Sequence, residues 1–313
     1  MPQVSNDAGC TLGTCPLSEA TVNYDPSLAG NALYLAIFGL ILLIQALQLV
    51  KYRTWSFSCA MMSGLLLEMV GYVGRVQMHF IPFDSNPFLI YLICITIAPV
   101  FFTAAIYLTL SRIIVRYGRE KSRFSPKAIS LTFMACDFIA LVLQAAGGAI
   151  ADTANTSTGS EQGTHIMVGG LAFQVISLLL FIVLAVEYAS KVRRDRRRGK
   201  LNESENMASN GKSEPAFKRF LFALSLATIF ILIRSCFRVA ELAKGFSSKL
   251  ANQEVPFMIL EGAMIVLATL LLTAFHPGPA FGTNWTDAGW VWKNKPRGCA
   301  EHNDPGLIPL RQR

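Results

Sequence analysis

The sequence predicts an all-α polytopic membrane protein with seven transmembrane helices, an N-terminus outside the cytoplasm and a cytoplasmic C-terminus. Three observations predict this fold: only 15% of the 313 residues are charged, the mean hydropathy is +0.42, and long apolar segments alternate with basic connections. A soluble domain typically carries about 25% charged residues. Because a helix needs about 20 apolar residues to cross the hydrocarbon core, the apolar segments are counted as spans.

The seven predicted spans divide the chain into three parts. Residues 1-27 form an extracellular segment, residues 28-276 the seven-helix domain and residues 277-313 a cytoplasmic tail. The first helix is expected to act as the insertion signal, because the segment before it lacks an apolar core. The predicted helices are 28-50, 56-77, 88-112, 127-150, 166-189, 217-241 and 255-276.

The distribution of basic residues predicts the orientation. Most of the 28 Lys and Arg residues lie in the tail and in the connections between helices 1 and 2, 3 and 4, and 5 and 6. The opposite connections hold only Lys244 and Lys249. Cytoplasmic loops carry the excess of Lys and Arg, so the basic side is predicted to be cytoplasmic. The net charge of +8 is therefore attributed to orientation, and nucleic-acid binding is not expected.

Ionisable residues inside the spans are the strongest functional signal, because such residues are costly in a membrane and usually functional. Glu68 and Arg75 are seven residues apart, and Arg234, Arg238 and Glu241 follow at i, i+4 and i+7, so each set shares one helix face. Such polar faces cannot contact lipid. We therefore predict a shared, ligand-accessible polar interior, with a purely structural network of buried ion pairs as the alternative. The predicted ligand-binding residues are Glu68, Arg75, Asp137, Gln144, Gln174, Arg234, Arg238, Glu241 and Glu261.

Two features of the predicted extracellular side concern covalent modification. The sequon at Asn155 falls outside and is a glycosylation candidate, whereas the sequons at Asn202 and Asn284 fall inside. Cys10 and Cys15 lie in the N-terminal segment, where an oxidising environment would permit a disulfide between them. Free thiols are the alternative.

Several catalytic arrangements are missing from the sequence. His79 and His165 fall outside and His276 and His302 fall inside, so the four histidines are not expected to share a metal ion. The phosphate-binding loop motif is absent. The last helix contains no Lys, which excludes a retinal Schiff base. We therefore expect neither an enzyme nor a cofactor.

An ordered set of motifs runs through the helices. It consists of Tyr24-Asp25-Pro26-Ser27-Leu28, Gly71-Tyr72, Ala98-Pro99, Gly147-Gly148, Gly169-Gly170, Ile233-Arg234, Phe237-Arg238 and His276-Pro277-Gly278. In this order the motifs resemble the fungal lipid-translocating exporter family, over about residues 24–278. One departure lies in the last helix, where Met258 and Glu261 stand at positions that are Tyr and Asp in the family pattern.

The resemblance implies seven helices, a plasma-membrane location and a role in moving or releasing amphipathic lipids under stress. The expected partners are membrane lipids, with sphingoid bases or sterol-like amphiphiles as candidate cargo. A cationic headgroup would be accepted by a carboxylate of the polar interior, for which Glu68, Asp137, Glu241 and Glu261 compete. A neighbouring arginine would keep such a carboxylate ionised.

Two other functions are kept as alternatives. A seven-helix receptor or stress sensor would suit the topology and the basic third cytoplasmic loop, but Arg112 follows Ser111 rather than an acid, and the last helix lacks an Asn-Pro-x-x-Tyr element. The shared topology alone does not establish a receptor function. An exporter of a toxic metabolite or drug differs from the first hypothesis only in its cargo.

Overall fold

The computed structural model describes residues 26–81, 84–117, 125–154, 156–197, 214–243 and 254–281. Within these ranges all regular secondary structure is helical, and seven helices are long and apolar enough to cross a membrane. The predicted all-α fold with seven membrane-spanning helices is therefore confirmed. The side of the membrane on which each terminus lies stays a prediction.

The seven long helices follow one another with short connections where these are described. They are α1 (Leu28–Tyr52), α2 (Trp55–Phe80), α3 (Ser85–Tyr117), α4 (Pro126–Thr153), α5 (Ser157–Arg197), α6 (Glu214–Ala243) and α7. Helix α7 comprises an α-helical turn (Glu254–Phe257), a π-helical turn (Met258–Ala263) and an α-helix (Met264–Ala274), and a short α8 (Pro277–Phe281) follows. Helix α5 extends beyond the apolar segment 166-189 at both ends, because polar and basic residues continue the helix there.

Several residues of the sequence predictions have no described structure. Asn155, Cys10, Cys15, Asn202 and Asn284 lie outside the described residues. The predicted glycan and the predicted disulfide therefore stay predictions.

Local sequence signals determine both ends of α1. Ser27 is the N-cap, and its hydroxyl accepts a hydrogen bond from the Gly30 N–H at 3.3 Å. Such a cap satisfies one of the backbone donors that a helix start leaves free. At the other end Arg53 has φ 52°, and its N–H bonds to the Leu49 carbonyl. This left-handed residue reverses the chain, so that α2 begins only two residues later.

The helices form a closed bundle in which each helix packs against its neighbour in sequence order, and α7 packs against α1. Helix α3 also contacts α6 across the bundle. The surface of the bundle is apolar: Leu47 is 72% exposed, and Phe138 is 65% exposed. Arg75, in contrast, has no exposed surface. Polar side chains inside and apolar side chains outside are the arrangement that lipid surroundings require.

Glycines bring α4 and α5 into close contact. A Cβ atom added to Gly147 would lie 2.7 Å from the Gly163 carbonyl oxygen and 2.9 Å from the Met167 Cα. A Cβ added to Gly170 would lie 2.9 Å from the Ala140 carbonyl oxygen. Small residues let helix backbones approach in this way. The contacts also define the register of the two antiparallel helices, with Gly170 opposite Gln144.

The π-helical turn in α7 has a defined partner for its first carbonyl. The Tyr34 hydroxyl of α1 donates a hydrogen bond to the Met258 carbonyl at 2.7 Å. A Cβ added to Gly262 would meet the Tyr72 hydroxyl at 2.7 Å and the Tyr34 ring at 2.8 Å, so glycine allows both rings to pack here. π-Helical turns are frequent at functional sites, and this one contains Glu261.

Candidate functional site

The structure buries all the side chains that the sequence predicted to face a polar interior. None of the nine has more than 5% of its surface exposed: Glu68, Arg75, Asp137, Gln144, Gln174, Arg234, Arg238, Glu241 and Glu261. They fall into two groups. One surrounds the arginines of α6, and the other lies between α3, α4 and α5.

Glu261 joins the two arginines of α6. Its carboxylate forms an ion pair with Arg234, and the same oxygen lies 3.8 Å from the Arg238 Nε. Arg238 also donates to Glu241, one turn further along α6, at 2.8 Å. Removing one member of a buried ion pair typically costs about 3–5 kcal/mol, because the other charge is left uncompensated. The four side chains therefore form one coupled electrostatic unit between α6 and α7.

Pro99 supplies a further partner for this unit. A proline has no N–H, so the carbonyl four residues earlier in the helix is left without its usual donor. That carbonyl belongs to Ile95, and it accepts a hydrogen bond from Arg234 at 2.7 Å. The proline within α3 thus exposes a backbone acceptor at the position that the arginine occupies. Arg238 contacts the same helix through the Thr96 hydroxyl at 3.3 Å.

Glu68 of α2 lies in the same group and is not fully satisfied. It is near enough to Arg234 and Glu261 for electrostatic interaction. Its Oε1 atom has no hydrogen-bond partner, and the same holds for the Glu261 Oε2 and the Tyr72 hydroxyl. Buried polar atoms nearly always have partners, so three unused atoms in one region mark a place where water or a polar ligand can bind.

Arg75 is held by an amide and by aromatic rings. Its Nε donates to the Asn31 Oδ1 at 3.0 Å, and its Cζ lies 4.0 Å from the Phe257 ring centroid and 4.9 Å from that of Tyr91. Such cation–π contacts strengthen when they are desolvated. Nearby, the Glu254 carboxylate accepts the Ser27 N–H at 2.7 Å. These contacts join the start of α1 to α2, α3 and α7.

The second group contains Asp137, Gln144 and Gln174. The Asp137 Oδ2 accepts a hydrogen bond from the Thr103 hydroxyl at 2.9 Å, while its Oδ1 has no partner. Gln144 donates to Gln174 at 3.0 Å, and its own Oε1 is unpartnered. The sequence pattern predicted that the polar faces of the helices would share one interior. The described contacts instead place this group at the α3–α4–α5 interface and the arginines at the α3–α6–α7 interface.

Several members of both groups were not predicted from the sequence. The Ile95 carbonyl, Thr96 and Thr103 are neutral groups that a search for intramembrane charge does not detect. A signal was nevertheless present: Thr96 and Thr103 are two turns apart on α3, on either side of Pro99. Among the described residues, no group of three His, Cys, Asp or Glu side chains is arranged to hold a metal ion.

Comparison with known proteins assigns the chain to a family. The family model described as RTA1 like protein matches residues 61–284. The chain belongs to this family. The RTA1-like region includes most of both polar groups and reaches from α2 to beyond the described part of α7. No solved structure matches the chain.

Three curated relatives indicate what this RTA1-like chain is similar to. The sphingoid long-chain base transporter RSB1 of Saccharomyces cerevisiae is 34% identical over 309 residues, covering 89% of this chain and 81% of the relative. The probable lipid transporter atnI of Emericella nidulans is 24% identical, with 82% and 67% covered. Protoporphyrin uptake protein 1 of S. cerevisiae is 25% identical, with 70% and 67% covered.

Proposed function

We propose that this RTA1-like protein moves amphipathic lipids across a membrane, with sphingoid-type long-chain amines as its preferred cargo. The observation that carries the proposal is the set of buried, partly unsatisfied polar side chains inside a bundle whose outer surface is apolar. An amphiphile is likewise divided into a polar headgroup and an apolar chain. Its headgroup requires polar partners within the bundle, whereas its chain can stay in the surrounding lipid.

The names of the relatives support transport over signalling. Two of the three are named as transporters of lipids, and the third is named for uptake of a porphyrin. The relative with 34% identity is aligned with 89% of this chain, so its likeness extends through both polar groups. A non-enzymatic role agrees with these names. The receptor alternative has no comparable support from them.

The proposed setting is the plasma membrane, with the N-terminus outside and the basic connections in the cytoplasm. The positive-inside rule supports this orientation. In it, Glu241 near the end of α6 and Glu254 at the start of α7 lie toward the outside. The arginine group would then face the outer leaflet, and the Asp137 group would lie nearer the middle of the membrane.

Reconstitution tests the proposed function. The purified protein is inserted into liposomes that carry a fluorescent sphingoid base, and a membrane-impermeant quencher reports the fraction in each leaflet. We expect the sphingoid base to redistribute faster than it does in protein-free liposomes. A fluorescent phosphatidylcholine should redistribute more slowly than the sphingoid base in the same proteoliposomes. If several amphiphiles, both cationic and neutral, all redistribute at the protein-free rate, the transport proposal fails.

A further inference from the structure

The second polar group contains a carboxylate that the described side chains do not neutralise. Asp137 is 1% exposed, and the side chains that interact with its carboxylate, Thr103 and Tyr107, are neutral hydroxyls. Within the described residues, the ion pairs of the bundle interior are formed by Arg234 and Arg238 with Glu241 and Glu261, and none of them includes Asp137. A lone carboxylate at this depth is costly and by default functional.

The register of α4 and α5 places a second unpartnered group beside it. Gly170 lies opposite Gln144, and the rings of Phe181 and Phe133 are 5.4 Å apart between centroids. By this register, Ser177 of α5 lies at the level of Asp137, seven residues after Gly170 and four before Phe181. Its hydroxyl is buried and has no hydrogen-bond partner.

Helix α3 contributes a third group at this level. Tyr107 follows Thr103 by one turn, and its hydroxyl interacts electrostatically with the Asp137 carboxylate. This hydroxyl also has no hydrogen-bond partner of ordinary geometry. Three helices therefore contribute buried oxygen atoms at one level of the bundle, namely the Asp137 Oδ1, the Tyr107 hydroxyl and the Ser177 hydroxyl.

Such a set of oxygens is suited to one kind of group. An ammonium carries a positive charge and three N–H donors and has no acceptor, so it complements one carboxylate and two hydroxyl oxygens. The aromatic rings of Tyr107, Phe133 and Phe181 are in mutual contact beside the carboxylate, with centroid separations of 4.4 to 5.7 Å. Aromatic faces attract ammonium ions, and the rings provide an apolar wall.

We infer that Asp137, Tyr107 and Ser177 form the binding site for the primary ammonium group of an amphiphilic amine. This inference rests on the proposed function and assigns the recognition of the amine to a specific carboxylate. The free Oε1 of Gln144, two turns along α4, accepts a further donor such as a hydroxyl of the headgroup. Glu241 and Glu261 are less suited to the amine, because Arg234 and Arg238 already neutralise them.

Helix α3 connects this site to the arginine group. Thr96 contacts Arg238 and Thr103 contacts Asp137. The two threonines are seven residues apart, so they share one helix face at a separation of roughly 10 Å along the axis. A headgroup that leaves the ammonium site along this face reaches the side chains of the arginine group after two turns.

Binding of a matched pair of ligands tests the site. The probes are a radiolabelled C18 2-amino-1,3-diol and its N-acetyl derivative, which differ in the charge on nitrogen. Binding of each probe is measured to the whole chain in detergent micelles. We expect Asp137→Asn to weaken binding of the amine at least tenfold and to leave binding of the N-acetyl derivative within twofold of wild type. Glu161→Gln removes an exposed carboxylate of α5 and is expected to have no effect on either ligand.

Two milder variants keep the test decisive if Asp137→Asn does not fold. Ser177→Ala and Tyr107→Phe remove one hydroxyl each, and both should weaken the amine two- to fivefold relative to the N-acetyl derivative. If the folded variants all bind the amine within twofold of wild type, the site assignment is wrong and buried water is the occupant of these polar atoms. If the wild-type protein nevertheless moves lipid in the liposome assay, that binding result refutes only the assignment of the site. If the wild-type protein moves no lipid, the proposed function itself is refuted.

Discussion

Arg234 of α6 donates a hydrogen bond at 2.7 Å to the carbonyl of Ile95 in α3. This carbonyl is free because Pro99, four residues later, has no N–H to offer it. Pro99 is thus part of the environment of a buried arginine. The same arginine forms an ion pair with Glu261, so α3, α6 and α7 meet at one guanidinium group.

The role of Pro99 can be tested by restoring the helical donor. In Pro99→Ala the new N–H bonds to the Ile95 carbonyl and competes with Arg234 for it. We expect lipid transfer in liposomes to fall several-fold, while the thermal unfolding temperature stays the same or rises because an α-helical hydrogen bond is regained. Pro126→Ala is the control, since Pro126 is the first residue of α4 and its missing N–H leaves no helical carbonyl unpaired. Equal transfer by Pro99→Ala and wild type would contradict this role.

The coupling between Arg234 and Glu261 can be measured with a double-mutant cycle. We expect Arg234→Gln and Glu261→Gln each to lower the free energy of unfolding by about 3 kcal/mol, because each leaves a buried charge uncompensated. The double variant should lose less than the sum, with a coupling of at least about 1 kcal/mol. Unfolding in mixed micelles by increasing denaturing detergent provides the measurement. Strictly additive losses would mean that the two side chains do not form the described pair.

The close contact of α4 and α5 predicts different effects for two glycines. Gly147→Ala places a methyl group against the backbone of Gly163 and Met167, and we expect a loss of about 1–3 kcal/mol from the forced separation of the helices. Gly169→Ala has no atom within 4 Å of the new Cβ and should be neutral or slightly stabilising. Comparing the two variants in the same unfolding assay removes the general effect of replacing glycine. Equal destabilisation would show that the helices are less tightly packed than described.

The sequence predicted the seven helices because their apolar segments match the bilayer thickness. It also predicted that Glu68, Arg75, Asp137, Arg234 and Glu261 would be buried, since a charged side chain in a span avoids lipid. It could not predict the partners. The hydrogen bond from Arg234 to Ile95 depends on a backbone carbonyl. Which residues of α5 lie beside Asp137 depends on the register of α4 and α5. The π-helical turn around Glu261 has no signature in a periodicity of 3.6 residues.

The orientation of the chain gives a prediction that is independent of transport. With the N-terminus outside, Asn155 lies in an extracellular connection, while Asn202 and Asn284 lie in the cytoplasm. Expression in yeast should therefore attach glycan at Asn155 alone, as seen by a mobility shift on endoglycosidase treatment. The shift should vanish in Asn155→Gln and persist when both other sequons are removed. Glycan at Asn202 or Asn284 would invert the proposed topology.

The most direct test of a lipid path through the polar interior compares the transfer of a fluorescent sphingoid base by wild type, Glu261→Gln and Glu161→Gln in liposomes. Glu261 is 1% exposed between two arginines, whereas Glu161 is an exposed carboxylate of α5. With rates normalised to folded protein, we predict that Glu261→Gln falls at least tenfold and that Glu161→Gln equals wild type. Undiminished transfer by folded Glu261→Gln would contradict a path that uses the charged interior and would assign the buried ion pairs to structure alone.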